Sequence, residues 1–171
     1  MSSSASNSSG ASALVVQDVQ LPAEARDIHL VHQAILGFEL DRALADEKHR
    51  HFEKLSSIMR EQGIPAGAAV SFDYYQLCQQ RVDLARRATD NLFDDYDALI
   101  TPSAVGEADK GQSFTGSALF NNAWTMLHVP AITLPIATGP RGLPFGIQLV
   151  GRRREDWRLL HVAEWTRRRL T

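Results

Sequence analysis

Residues 128–151 read HVPAITLPIATGPRGLPFGIQLVG. Two apolar runs, PAITLP and PFGIQLVG, flank the Gly- and Pro-rich link ATGPRGL. Gly-Pro punctuation of this kind marks a turn, and strands joined by so short a link must pair antiparallel. Both alternations of each run are apolar: Ile132 and Leu134 with Ala131, then Phe145, Ile147 and Leu149 with Val150. That pattern predicts burial on both faces of the hairpin. Nothing in the stretch has an evident partner for acid, base or nucleophile chemistry.

Working outward, TGSALFNNAWTMLHV predicts a helix beginning near Ser117, and Glu155 to Leu170 a last helix with Trp157, Leu159, Leu160, Val162, Ala163 and Trp165 as its apolar content. Its closing arginines suit the negative end of the helix dipole. Before the hairpin, YDALITP reads as a strand ended by Pro102, and Ser103 to Thr115 as a long polar loop, a type usually functional or disordered. A long helix precedes them, with Ser71 as N-cap, Asp73 in the first turn and an end near Asp94. From Ala23 to Gly63, Ile28, Val31, Ile35, Phe38 and Leu44 recur at helical spacing and Phe52, Leu55, Ile58 and Met59 continue it. This predicts two helices broken near Asp46 to His49, with EQGIPAG as a loop. Leu14 to Val19 reads as a strand closed by Pro22. About four strands are then visible. That is few for a sheet covered on both sides, so the simplest expectation is that part of the sheet lies outside these residues.

The 171 residues allow one domain with a real core. Hydrophobic content of 44% and charged content of 22% are ordinary for a globular protein. A net charge of −2 gives no global attraction to nucleic acid or to a membrane surface, and neither is an expected partner. The single cysteine, Cys78, excludes an internal disulfide; with no secretory signal in the Ser-rich start MSSSASNSSGAS, a cytoplasmic location is expected. Residues 1–13 read as a flexible tail or a cloning remnant, and residues 14–171 as the folded segment.

Residues 14–171 resemble the C-terminal part of the amidase signature family. VQDVQLP is similar to the strand opening the family's later half. VSFDYYQLCQQRVDLARRATDNLFDDYDALITPS is similar to its long helix followed by a strand ending in Thr-Pro. FNNAWTMLHVPAITLPIATGPRGLPFGIQLVGRRREDWRLL is similar to its C-terminal hairpin and final helix. His128-Val129 before Pro130 departs from the pattern, where many members have a glycine. The resemblance implies a partial α/β/α layered fold: a few-stranded mixed sheet, a C-terminal antiparallel hairpin serving as scaffold, and flanking helices. It also implies amide hydrolysis by a Ser–Ser–Lys triad through an acyl-enzyme.

The family places all three triad residues in its N-terminal half. No Asp-Thr-Gly-Gly-Ser run occurs here, and Lys48, Lys54 and Lys110 lack the family's lysine context. SNSSGASA, Ser6 to Ala13, echoes the bridging-serine motif without its leading glycines, as a Ser-rich tail does by chance. No catalytic residue is therefore assigned. The expectation is a truncated or split amidase, or a pseudoenzyme, inactive alone. It would need no metal or other cofactor, and its partner would be a triad-bearing N-terminal half or a second copy. By position in the family, Phe114, Phe120, Asn121 and Trp124 are candidates for the acyl pocket, with core packing as the other reading of Phe120 and Trp124.

The remaining candidates favour structural roles. His29 and His32 lie three apart on one helix with Glu39 two turns later, so the pair lacks a well-placed third metal ligand, and His49 and His51 sit in the charged DEKHRHFEK. His128 either lines a pocket or is hydrogen-bonded. The runs RRRED and TRRRL flank a helix with acidic neighbours, which favours a solvated face over a phosphate site. Cys78 lies between apolar helix positions, as a small buried hydrophobe does. Two other functions are open. One is a non-catalytic interaction module derived from an amidase. The other is a small hydrolase using Ser103 or Ser113, though no nucleophile-elbow pattern surrounds either serine.

Overall fold

The computed structural model describes residues 15–111 and 116–170. Its longest helix, α4 (Phe72–Leu92), starts where the sequence predicts. Ser71 is extended, and its Oγ accepts from the Tyr74 N–H at 3.2 Å, satisfying one of the donors a helix start leaves unpaired. Cys78, Val82, Ala85 and Thr89 form the buried face of α4. They meet Ile28, Val31, Ile35 and Phe38 of α1 (Ile28–Ala43), also at helical spacing. At one end the Phe38 ring stacks on Tyr75, centroids 4.1 Å apart, and the Arg42 guanidinium covers its other face at 3.2 Å.

The region between α1 and α4 differs from expectation. The break falls at Leu44, and Asp46 to His49 lie inside a short helix, α2 (Ala45–Arg50), with no buried residue. EQGIPAG is helical, not a loop: a π turn over Met59–Gly63 runs into α3 (Ile64–Ala68). Its breakers have local uses. Pro65 sits in the first turn of α3, where a missing N–H costs least. Gly67 lets α3 lie directly on α1, since a methyl there would fall 2.0 Å from the Gly37 carbonyl oxygen. The strand expected at Leu14 to Val19 is not formed over the described part. Residues 15–22 are irregular, Val15 and Val16 are exposed, and only Val19 and Leu21 reach the core.

Three strands form one sheet among the described residues, in the order β1 (Leu99–Pro102), β3 (Pro144–Val150), β2 (Ala131–Thr138). The hairpin pairs antiparallel as read, with Ile132 opposite Leu149 and Leu134 opposite Ile147. β1 flanks the other edge of β3, also antiparallel, with Leu99 opposite Val150. None of these pairings is parallel, so the parallel part of a mixed sheet is not among them. α5 is shorter than predicted, Asn122–Leu127, because Ala118 to Asn121 form a turn before it. α6 (Asp156–Leu170) lays Leu159 and Ala163 on Leu134 and Leu149. On the opposite side Val150 joins Trp124, Leu127 and the α1–α4 core.

Burial on both faces holds only for the end of β3, where Gln148, Leu149 and Val150 are all buried. Along β2 only Leu134 is buried, and Ile136, like Phe145 on β3, is more than 40% exposed. The cause is position. β2 is an edge strand whose outer half extends past α6, and the described chain places nothing over it. Trp157, read as part of the apolar face of α6, is 75% exposed.

Three substitutions test this packing. Leu134→Asp buries a carboxylate without a partner and is expected to cost about 3 kcal/mol or more. Ile136→Asp, two residues along the same strand, is expected to cost less than about 1 kcal/mol. Urea melts of the two variants compare them directly, and equal losses would contradict the burial pattern. Ser71→Ala is expected to cost about 1 kcal/mol through loss of the α4 cap.

Candidate functional site

A cleft of about 1400 Å3 lies at the end of the sheet farthest from the α1–α4 core. Ile100 to Pro102 of β1, Pro144 to Ile147 of β3, and Thr133, Pro135 and Ile136 of β2 line it. The segment 103–111 and the approach to α5, Gly116 to Ala118 and Asn121, complete its rim. Most of this lining is apolar, which suits binding of an apolar group held by a few polar contacts.

Asn121 is the polar hub of the rim. Its Nδ2 donates to the Ser103 carbonyl at 3.3 Å, and its Oδ1 accepts from Gln148 Nε2 at 3.1 Å. Ser103 Oγ donates to the Gly146 carbonyl at 3.0 Å. These bonds tie the end of β1, the start of α5 and the middle of β3 into one unit. Of the other expected pocket residues, Phe114 lies outside the described residues. Phe120 is half-buried and does not contact the cleft. Trp124 is 8% exposed and packs in the core.

Among the described residues, the cleft holds no arrangement that activates a serine. Ser103 is committed to Gly146, Ser117 Oγ accepts from the Leu119 N–H at 3.2 Å, and no histidine or lysine is among the described lining residues. Two of the described ionisable groups face it, Glu107 and Asp109. Glu107 is engaged by Arg141, whose hydrogen bond holds its carboxyl below the ordinary glutamate value. Sequence reasoning missed Ser103 as a structural bond, Gln148, Glu107 and Arg141. The only advance signal was the ATGPRGL turn, which reads as a link and not as a receptor for a side chain.

The other candidates lie elsewhere. Glu39 accepts from the Tyr75 hydroxyl at 2.9 Å and His32 is partly buried, with its pKa lowered by that burial. Among the described residues no three such side chains are grouped as a metal site. His49 and His51 are exposed. His128 ends α5 in the left-handed conformation, φ 55°, the geometry that favours glycine at a helix C-terminus. His128 thus takes a glycine-like backbone conformation two residues before Pro130. The His128 ring points away from the cleft, into a smaller groove with Ile35, Glu39 and Met126. Arg86 donates to its Nε2 at 2.7 Å, and burial followed by the Arg86 charge lowers its pKa.

Several arginines in and beside the two runs are paired within the fold. Arg153 meets Asp90 at 2.5 Å, Arg158 meets Asp97 at 3.0 Å, and Arg152 donates to the Asp90 carbonyl at 2.8 Å and pairs with Asp94. RRRED therefore clamps the C-terminal end of α4, where carbonyls favour positive charge. At the other end of α6, Arg167 and Arg168 grip Glu164 and push its pKa down to about 2. Cys78 is fully buried. No helix among the described residues is long and apolar enough to cross a membrane.

Comparison with known proteins places this geometry. The profile described as Amidase matches residues 11–160. A glutamyl-tRNA(Gln) amidotransferase subunit from Prochlorococcus marinus is 34% identical over 103 residues, covering 56% of this chain and 21% of the relative. The corresponding mitochondrial glutamyl-tRNA(Gln) amidotransferase subunit from Mus musculus is 40% identical over 78 residues, 40% of this chain and 15% of the relative. The chain thus spans about a fifth or less of the length of these relatives. A crystal structure of an amidase superimposes with a TM-score of 0.73 at 23% identity, covering 88% of this chain and 37% of that one. A bacterial aryl acylamidase of the amidase signature enzymes superimposes with a TM-score of 0.60 at 14% identity, covering 82% of this chain and 33% of that one. At these identities the structures establish likeness of fold. The profile match, running through the helices and the whole hairpin, shows that the chain belongs to the amidase family.

Proposed function

We propose that this chain is the C-terminal, substrate-enclosing part of an amidase-signature hydrolase of carbon–nitrogen amide bonds. Its cleft forms one side of the acyl pocket and Asn121 is a polar contact on that side. Phe114 and Phe120 are assigned to that pocket only by their place in the sequence, and Trp124 packs in the core. The chemistry belongs to a triad-bearing segment outside these residues, so the chain by itself is inactive. The observation carrying this reading is an apolar cleft of about 1400 Å3, built on a family scaffold, in which neither described serine has an activating base. A serine hydroxyl without such a base is a weak nucleophile at neutral pH.

The same cleft supports a partner. Ile100, Ile136, Leu143 and Phe145 are each at least 40% exposed at or beside it. An interaction module evolved to stand alone would cover this edge with polar groups. The exposed apolar rim therefore favours a triad-bearing partner segment, or association with a second copy, over an independent module. The relatives named above are subunits by name, which is compatible with work in an assembly.

The purified chain is expected to show no turnover of small amides or esters and no single-site labelling by an active-site serine probe. Labelling of one serine, with turnover lost on its change to alanine, would overturn the assignment of chemistry to another segment. Light scattering is expected to show self-association or partner dependence. A monodisperse monomer that melts cooperatively and binds no hydrophobic dye would shift the reading to a self-sufficient module.

A further inference from the structure

Residues 103–111 form a strap along one side of the cleft. The strap begins at a fixed point, because Ser103 is bonded to both Asn121 and Gly146. Beyond it, among the described residues, no backbone–backbone hydrogen bond reaches residues 104–111. Gly106 has φ +69° and Gly111 φ +105°, each with open space where a side chain would be. By backbone bonding alone this segment would be free to move.

One side chain holds it. The Glu107 carboxylate accepts from the Arg141 N–H, 3.1 Å to each oxygen, and from the Leu143 N–H at 3.2 Å. Arg141 Nε adds a bond of 2.8 Å to the carboxylate, and its Nη2 donates to the Glu107 carbonyl at 2.9 Å. Although the strap is a surface loop, the Glu107 side chain is only 7% exposed. The hairpin turn is shaped to receive it: a methyl on Gly139 would stand 2.2 Å from Glu107 Oε1. The turn is itself closed by Gly139 N–H to the Leu143 carbonyl at 2.9 Å and Gly142 N–H to the Gly139 carbonyl at 3.0 Å. The two donated N–H groups and the guanidinium therefore stand preset for a carboxylate. Asp109 is the other charge near Arg141, at 3.8 Å.

We propose that Glu107 is a latch. Seated in the turn 139–143, its carboxylate holds the strap closed as a wall of the cleft. Its release lets the strap swing on Gly106 and opens the cleft on that side. Glu107 is thus a positioning residue that acts on whatever the cleft binds. What the latch does to a substrate rests on reading the cleft as an acyl pocket; the latch itself is independent of that reading.

Limited trypsin digestion of the full chain tests this, because Lys110 lies within the strap. Glu107→Ala, and separately Gly139→Ala, which evicts the carboxylate from the opposite side, are expected to speed cleavage after Lys110 at least ~10-fold. Cleavage after Arg81 and Arg87 in α4 and the urea midpoint should stay unchanged. An unchanged rate at Lys110, or equal acceleration within α4, overturns the latch. The unmodified chain gives a second readout. The Arg141 and Leu143 amide protons should titrate together, with a midpoint below the ordinary glutamate value. Because the folded value is depressed, the latch is complete above the unfolded glutamate value and is lost as pH falls through the folded one. Glu107→Gln should abolish this titration and Asp109→Asn should leave it. Amides that do not titrate, or that follow Asp109, overturn the latch. If the latch is observed and the cleft binds no acyl amide, the latch stands and the acyl-pocket reading falls.

Discussion

Leu149 and Val150 leave β3 on opposite faces, and each anchors a different core. Val150, fully buried, joins the α1–α4–α5 cluster, while Leu149, 1% exposed, joins Leu134, Leu159 and Ala163 under α6. These two neighbours hold the helical layers together across the sheet. Hydrogen bonding on both edges of β3, to β1 and β2, keeps its register from slipping, and a slip of one residue would exchange the two faces. The hairpin has little chemistry because its central strand serves both cores.

The same strand changes character along its length. Toward Val150 it is covered on both sides, and toward Pro144 it opens into the cleft. Gln148 stands at the boundary, 5% exposed, and donates to Asn121, itself bonded to Ser103. A buried amide costs free energy unless it is hydrogen-bonded, so this contact fixes how α5 meets the sheet. The rim is thereby rigid at Ser103 and Asn121 and depends on Glu107 farther along.

Charge organises the outer side of the fold. The acidic end of α4 and the arginines after β3 neutralise one another, which docks the turn before α6 onto the helix carrying the main core. The pairs are partly exposed, so each is worth little singly. Their role is alignment, since they join segments about sixty residues apart in the chain. Arg152 and Arg153 of the first run and Arg167 and Arg168 of the second are each held by a carboxylate.

Much of the layout is legible in the sequence. The Ser71 cap, the face of α4, the strand LITP, the antiparallel hairpin and α6 follow from local spacing and turn chemistry, which act within a few residues. The ordered family motifs across residues 14–171 pointed to the amidase fold for the same reason, because each is a local pattern. Long-range placement was not legible. EQGIPAG reads as a loop until Gly67 is seen to be where α3 touches α1. Trp124 reads equally as pocket or core until α5 turns it inward. Both alternations of β2 are apolar, yet only Leu134 is covered, because burial depends on what lies above a strand as well as on its own residues. Glu107 and Arg141 are 34 residues apart, and nothing near either announces the other. The sequence by itself determined the elements, their order and the family. The tertiary structure alone decided which apolar residues are covered and which charged groups meet, since both depend on contacts between distant segments.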